Sequence, residues 1–206
     1  MRTLMTLTVL SALLAAPAAA RGQTYAGGSE ATPEARLNAE HRGAFEKCIE
    51  LVNAQRPADA EPECRHAVDT SNQMGEWGGL TRADAHEWLG HSLYLQQKRN
   101  AALDEYQQSL AIWNMQADGD DAERGEAYAF VGNAKLGLKD YAGADEAYME
   151  AIAVIQTAIV HMPSTKDSYS GRLKTILTLD ARVKRALGDV DGASVQELAA
   201  EALDGQ

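Results

Sequence analysis

The chain has 206 residues with 19 basic and 30 acidic side chains, a net charge of −11. That surplus repels phosphate backbones and anionic lipid, which excludes nucleic acid and anionic membrane surfaces as partners. An alanine-rich sequence with five prolines and two cysteines favours helices.

The first predicted element is a targeting signal. "MRTLMTLTVLSALLAAPAAA" places Arg2 before an apolar run, Leu4 to Ala16, and ends in Ala18-Ala19-Ala20, which suits an A-x-A cleavage site. Cleavage after Ala20 is expected, leaving residues 21–32 as a flexible segment ahead of one folded domain, 33–206. The apolar run is short for a bilayer span, so no stable membrane insertion is expected once it is removed. The mature chain would keep 18 basic and 30 acidic side chains, about −12, in the periplasm or outside the cell, where cysteines can pair.

Four paired helical patterns follow, near 41–74, 82–116, 122–161 and 166–203. Each pair is divided by a polar turn: "RPADAEPECRHA" (56–67), "QKRNAALDEYQQS" (97–109), "LGLKDYAGADEAY" (136–148) and "LGDVDGASVQELA" (187–199). The second helix of each pair opens with Ala60, Ala102, Ala144 and Ala193. Residues four and seven positions later fall on the same face. In two pairs the first helix holds an apolar–glycine step, Leu89-Gly90 and Val131-Gly132. Mid-helix glycine costs roughly 1 kcal/mol relative to alanine, and what it permits is close approach of the partner helix.

Within the second pattern, "AHEWLGHSLYL" (85–95) contains His86, Glu87 and His91 and suggests the zinc-hydrolase motif H-E-x-x-H. That motif spaces its histidines by four residues. Here they are five apart, so they diverge by roughly 140° around a helix and no metal site is expected from them. Thr81-x-x-Asp84 reads as a capping box that starts this helix. The acidic runs "ADGDD" (117–121) and "GDVDGA" (188–193) lack the ligand set of a calcium loop. Asp120 or Asp121 is expected as a helix cap, and Asp189 and Asp191 as turn residues. Tyr94, Tyr106, Tyr148 and Trp113 are spaced as packing residues. No nucleotide-binding, nucleophile-elbow or catalytic constellation stands out, so neither cofactor nor enzymatic activity is expected.

Taken together, these units resemble the tetratricopeptide repeat, a helix–turn–helix unit with small residues at three fixed positions. Those positions hold Cys48, Ala60 and Ala67; Gly90, Ala102 and Ser109; Gly132, Ala144 and Ala151; and Ala181, Ala193 and Ala200. The segment 131–152 is the nearest match, and the resemblance spans about 41–206. It implies an all-α, right-handed α-solenoid of about four helix–turn–helix repeats. The period is about 42 residues, then 49, rather than the family's 34, with the extra residues after each second helix.

Further expectations follow from this resemblance. Cys48 and Cys64 would face each other in the first unit, as a disulfide or as two buried thiols. His86 would take a packing position, making "HEWLGH" a repeat helix. Partner contacts would fall on the concave face: Arg42, Phe45, Ile49, Val52 and Asn53; Asp84, Glu87, His91, Tyr94 and Leu95; Glu126, Ala129, Asn133, Leu136 and Gly137; Thr175, Thr178, Arg182, Arg185 and Ala186. Asn133 could bond a partner's backbone, whereas Glu87 stands where a clamp for an acidic chain end would want lysine. The implied function is a scaffold that binds a protein or peptide. The alternatives are a self-associating assembly factor, as a homo-oligomer, and a hydrolase built on His86, Glu87 and His91.

Overall fold

The computed structural model describes residues 32–115 and 121–203. The expected signal (1–20), nearly all of the segment 21–32, and Asp118 and Asp120 therefore lie outside the described residues. Thr32, the last residue of that segment, accepts a hydrogen bond from the Ala35 amide at 3.1 Å and caps the first helix.

The described residues form eight α-helices and no strand. They are α1 (Pro33–Asn53), α2 (Pro57–Gln73), α3 (Gly79–Leu95), α4 (Arg99–Met115), α5 (Asp121–Gly137), α6 (Tyr141–His161), α7 (Lys166–Leu187) and α8 (Val190–Ala202). Each helix packs on the next in sequence, giving the four hairpins of an all-α repeat solenoid. First helices also touch one another directly, α1 with α3 and α5 with α7.

The four turns inside the hairpins share one geometry. Gln55, Gln97, Lys139 and Gly188 have φ of 57°, 64°, 63° and 85°, the left-handed region. In the third turn the Lys139 amide donates to the Leu136 carbonyl at 3.0 Å and the Asp140 amide to Lys135 at 2.9 Å. The same two bonds recur as Gln55 to Val52 and Arg56 to Leu51, and as Gln97 to Tyr94 and Lys98 to Leu93. Gly188 to Arg185 and Asp189 to Lys184 complete the set. This is a Schellman closure, which satisfies the last carbonyls of each first helix. Asp140 and Asp189 then cap α6 and α8 through the amides of Gly143 and Gly192.

Small residues set the helix spacing as the repeat pattern requires. Ala60, Ala102, Ala144 and Ala193 are completely buried, and so are Ala67 and Ala151. Cys48 and Cys64 are bonded, with Cα atoms 4.9 Å apart, so the disulfide alternative holds. Gly90 and Gly132 lie against Tyr106 and Tyr148. A Cβ on either glycine would sit 2.5 or 2.7 Å from the tyrosine ring. Cys48–Cys64, Gly90–Tyr106 and Gly132–Tyr148 occupy equivalent positions in successive units, so covalent staple and buried ring serve the same cross-helix contact. Tyr106, Tyr148 and Trp113 are buried, as their spacing predicts.

The longer period has two sources. A 3₁₀ turn, Gly75–Gly78, joins α2 to α3, and Pro163–Thr165 joins α6 to α7. In addition α6 has 21 residues and α7 has 22, against 17 in α2 and α4. The capping box at Thr81 is not formed. The 3₁₀ turn runs directly into α3, which starts at Gly79 with Gly78 as its uncapped boundary, and this places Thr81 inside the first turn.

Candidate functional site

The first helices α3, α5 and α7 present a shared face. Between α5 and α7 it contains a cavity of about 190 Å³, walled by Ala129, Phe130, Ile176 and Leu179 and bordered by Glu126, Asn133, Arg172 and Thr175. Four of these residues, Glu126, Ala129, Asn133 and Thr175, are among the positions where the resemblance would put partner contacts. The other four are not.

Asn133 is fixed from beneath. The Tyr148 hydroxyl passes under Gly132 and donates to Asn133 Oδ1 at 2.7 Å. Burial, with smaller contributions from Tyr94 and Asp180, holds the Tyr148 phenol far above its ordinary range, so it stays a donor. The amide nitrogen of half-buried Asn133 takes no part in that bond, at the border of the cavity. In the preceding unit His91 Nδ1 lies 2.8 Å from the Tyr106 hydroxyl, another phenol raised chiefly by burial and then by Glu87. With Tyr106 donating, the Nε2 proton of His91 faces Glu87, 3.5 Å away. His91 also meets Phe130 edge-on, with centroids 4.5 Å apart, which ties α3 to the cavity wall.

Carboxylates crowd the N-terminal halves of these helices. Burial pushes Asp84 up to about 6, and the charges of Glu87 and Glu123 add to the effect. Glu126 is pushed up to about 7, first by burial and then by Glu123 and Glu87, against the opposing pull of Arg172. Arg172 Nη1 lies 2.5 Å from Glu126 and 3.6 Å from Glu123. Arg172 thus answers two of these four carboxylates.

The remaining expected contacts are distributed differently. Arg42 is exposed on α1, where Phe45 stacks on His41 at 5.6 Å and Ile49 is half-buried. Tyr94 is covered by the Arg99 guanidinium, 3.9 Å above its ring. Arg182 is exposed, on the Tyr148 side of the face. Arg185 is gripped by both oxygens of Glu197 at 2.7 and 2.6 Å, across its own hairpin turn.

His86 and His91 are not brought together. His86 Nδ1 bonds Glu105 on α4 at 2.7 Å, while His91 turns toward Tyr106 and Phe130. Among the described residues no trio of His, Cys, Asp or Glu side chains is placed to hold a metal ion. No described helix is long and apolar enough to cross a membrane.

Compared with known proteins, the chain matches no family model and no curated sequence. It is similar to a solved structure, BtubC (BKLC) from P. vanneervenii, at 13% identity and a TM-score of 0.34, over 82% of this chain and 91% of that one. A likeness of that degree transfers no property to this chain.

Proposed function

We propose that this chain is an exported, non-catalytic binding module of the tetratricopeptide type that docks a segment of another protein on the face made by α3, α5 and α7. The observation that carries this reading is the cavity between α5 and α7, which opens among residues where the resemblance would put partner contacts. Asn133, held by Tyr148, offers its amide to a partner's backbone. The Cys48–Cys64 disulfide fits an oxidising compartment, as the signal-like N-terminus implies. His86 and His91 are each engaged by neighbours in the adjoining helix, which favours packing roles over hydrolysis.

The test is capture from the host's own exported fraction with the tagged chain as bait, in parallel with a bait carrying Asn133→Ala and Thr175→Trp. A protein retained by the first and lost from the second, with both baits equally helical, supports the reading. Equal retention moves the site elsewhere.

Self-association is the second reading, favoured by α8. Among the described residues this helix packs mainly on α7, and it exposes Val190, Val195 and Leu198 at 59, 64 and 66%. Mass in solution across a concentration series distinguishes the two, since a strict monomer removes the second.

A further inference from the structure

We propose that the cavity between α5 and α7 takes one medium-sized apolar side chain from a protein segment that carries lysine or arginine beside it. This proposal rests on the reading above that the first-helix face is the binding surface, and it names the chemistry of the partner.

Size comes first. Sites for cofactors and drug-sized ligands span about 300–1,000 Å³. About 190 Å³, walled by Ala129, Phe130, Ile176 and Leu179, suits a leucine or methionine side chain rather than a cofactor. An anchor that fills such a pocket contributes binding energy through desolvation, the usual basis of interface hot spots.

Charge then selects the neighbour of that anchor. Glu126 borders the cavity and shares Arg172 with Glu123, while Asp84 and Glu87 on α3 complete a group of carboxylates that act on one another, Glu87 lying 3.5 Å from His91. Burial raises the protonation ranges of Asp84 and Glu126, and the charges of Glu87 and Glu123 add to that effect. A cationic side chain placed there would relieve that repulsion, whereas an acidic segment would add to it. Arg182, exposed near Tyr148, lies ten residues further along α7 than Arg172.

A second copy of this chain is a poor occupant. The chain carries a net charge of −11, so a second copy would bring further negative charge to this acidic group.

The experiment selects a random dodecapeptide display library on the full chain and counter-selects on Thr175→Trp, which blocks the exposed cavity mouth without changing charge. Peptides lost on the variant should be enriched in lysine or arginine next to leucine, isoleucine, methionine or phenylalanine. A synthetic peptide from that set should weaken at least tenfold when its lysines become glutamates, and at least tenfold when its apolar anchor becomes serine. Asp84→Asn with Glu87→Gln should weaken the lysine peptide several-fold.

Peptides that depend on the face but favour acidic residues, or show no charge preference, overturn this proposal and leave the binding surface standing. No peptide that distinguishes the chain from Thr175→Trp overturns both. The lysine-to-glutamate exchange in the peptide requires no protein variant, so it decides the question even if Thr175→Trp fails to fold.

Discussion

Tyr148 reaches beneath Gly132 and holds Asn133, with its hydroxyl 2.7 Å from the amide oxygen. A core contact on α6 thereby orients a surface residue on α5. Removing only the hydroxyl, by Tyr148→Phe, should cost about 1 kcal/mol in denaturant unfolding. It should also weaken partner binding while leaving helicity unchanged.

Gly132→Ala tests the closeness of that packing. The added methyl would meet the Tyr148 ring at 2.7 Å, an overpacking cost of about 1–3 kcal/mol set against roughly 1 kcal/mol of gained helix propensity. Net destabilisation is expected. In a Tyr148→Leu background the same change should become neutral or favourable, a non-additivity that a double-mutant cycle measures.

At the turns, Gly188 tolerates its φ of 85° freely, whereas Lys139 holds 63° with a side chain attached. Lys139→Gly should therefore stabilise by a few tenths to about 1 kcal/mol, and Gly188→Ala should destabilise by about 1 kcal/mol. Thermal or denaturant melting of the two variants checks the opposite signs.

In the first unit the disulfide stands where the others use glycine and tyrosine. Closing a loop of this length stabilises by about 3 kcal/mol in the chain-entropy model. Reduction, or the Cys48→Ala/Cys64→Ala pair, should lower the melting temperature by several degrees. Amide exchange should rise first in α1 and α2. Uniform loss of protection across all four hairpins would argue against a local staple.

Stability should peak in mildly acidic solution. Asp84 and Glu126 have folded values near 6 and 7, above their ordinary 3.8 and 4.5. Between those limits the folded state binds the extra proton, so their contribution is present in acid and lost as pH rises. Glu61 acts oppositely. Its bond from Lys98, aided by Arg65 and Gln96, lowers it to about 2, so its contribution is lost as pH falls from 4.5 toward that value. Melting should be highest near pH 5 and lower at pH 8. Asp84→Asn should raise the melting point at pH 8 and have little effect at pH 4. A melting point that climbs from pH 5 to 8 would contradict this assignment.

The hairpins were legible because small residues have one physical meaning at a crowded crossing. Ala60, Ala102 and Ala144 recur in sequence and are completely buried in the fold. The cavity was legible only in part. Glu126, Ala129, Asn133 and Thr175 follow from position within a repeat. Phe130, Arg172, Ile176 and Leu179 line it because of how α7 lies against α5, after a longer α6 and the Pro163–Thr165 turn. A pattern within one helix does not encode the gap between two. Arg185 shows the same limit: its partner Glu197 lies twelve residues on, across a turn. Thr81 fails as a cap for a local reason, since Gly75–Gly78 begins the helical path before it.

The most direct test of the account is to map the partner's footprint by amide chemical-shift perturbation on the labelled chain, using the protein retained by capture. The largest shifts should fall on α3, α5 and α7, with Asn133, Thr175 and Phe130 at their centre. Shifts confined to α8 around Val195 and Leu198, or spread over α4 and α6 with the cavity silent, would contradict it.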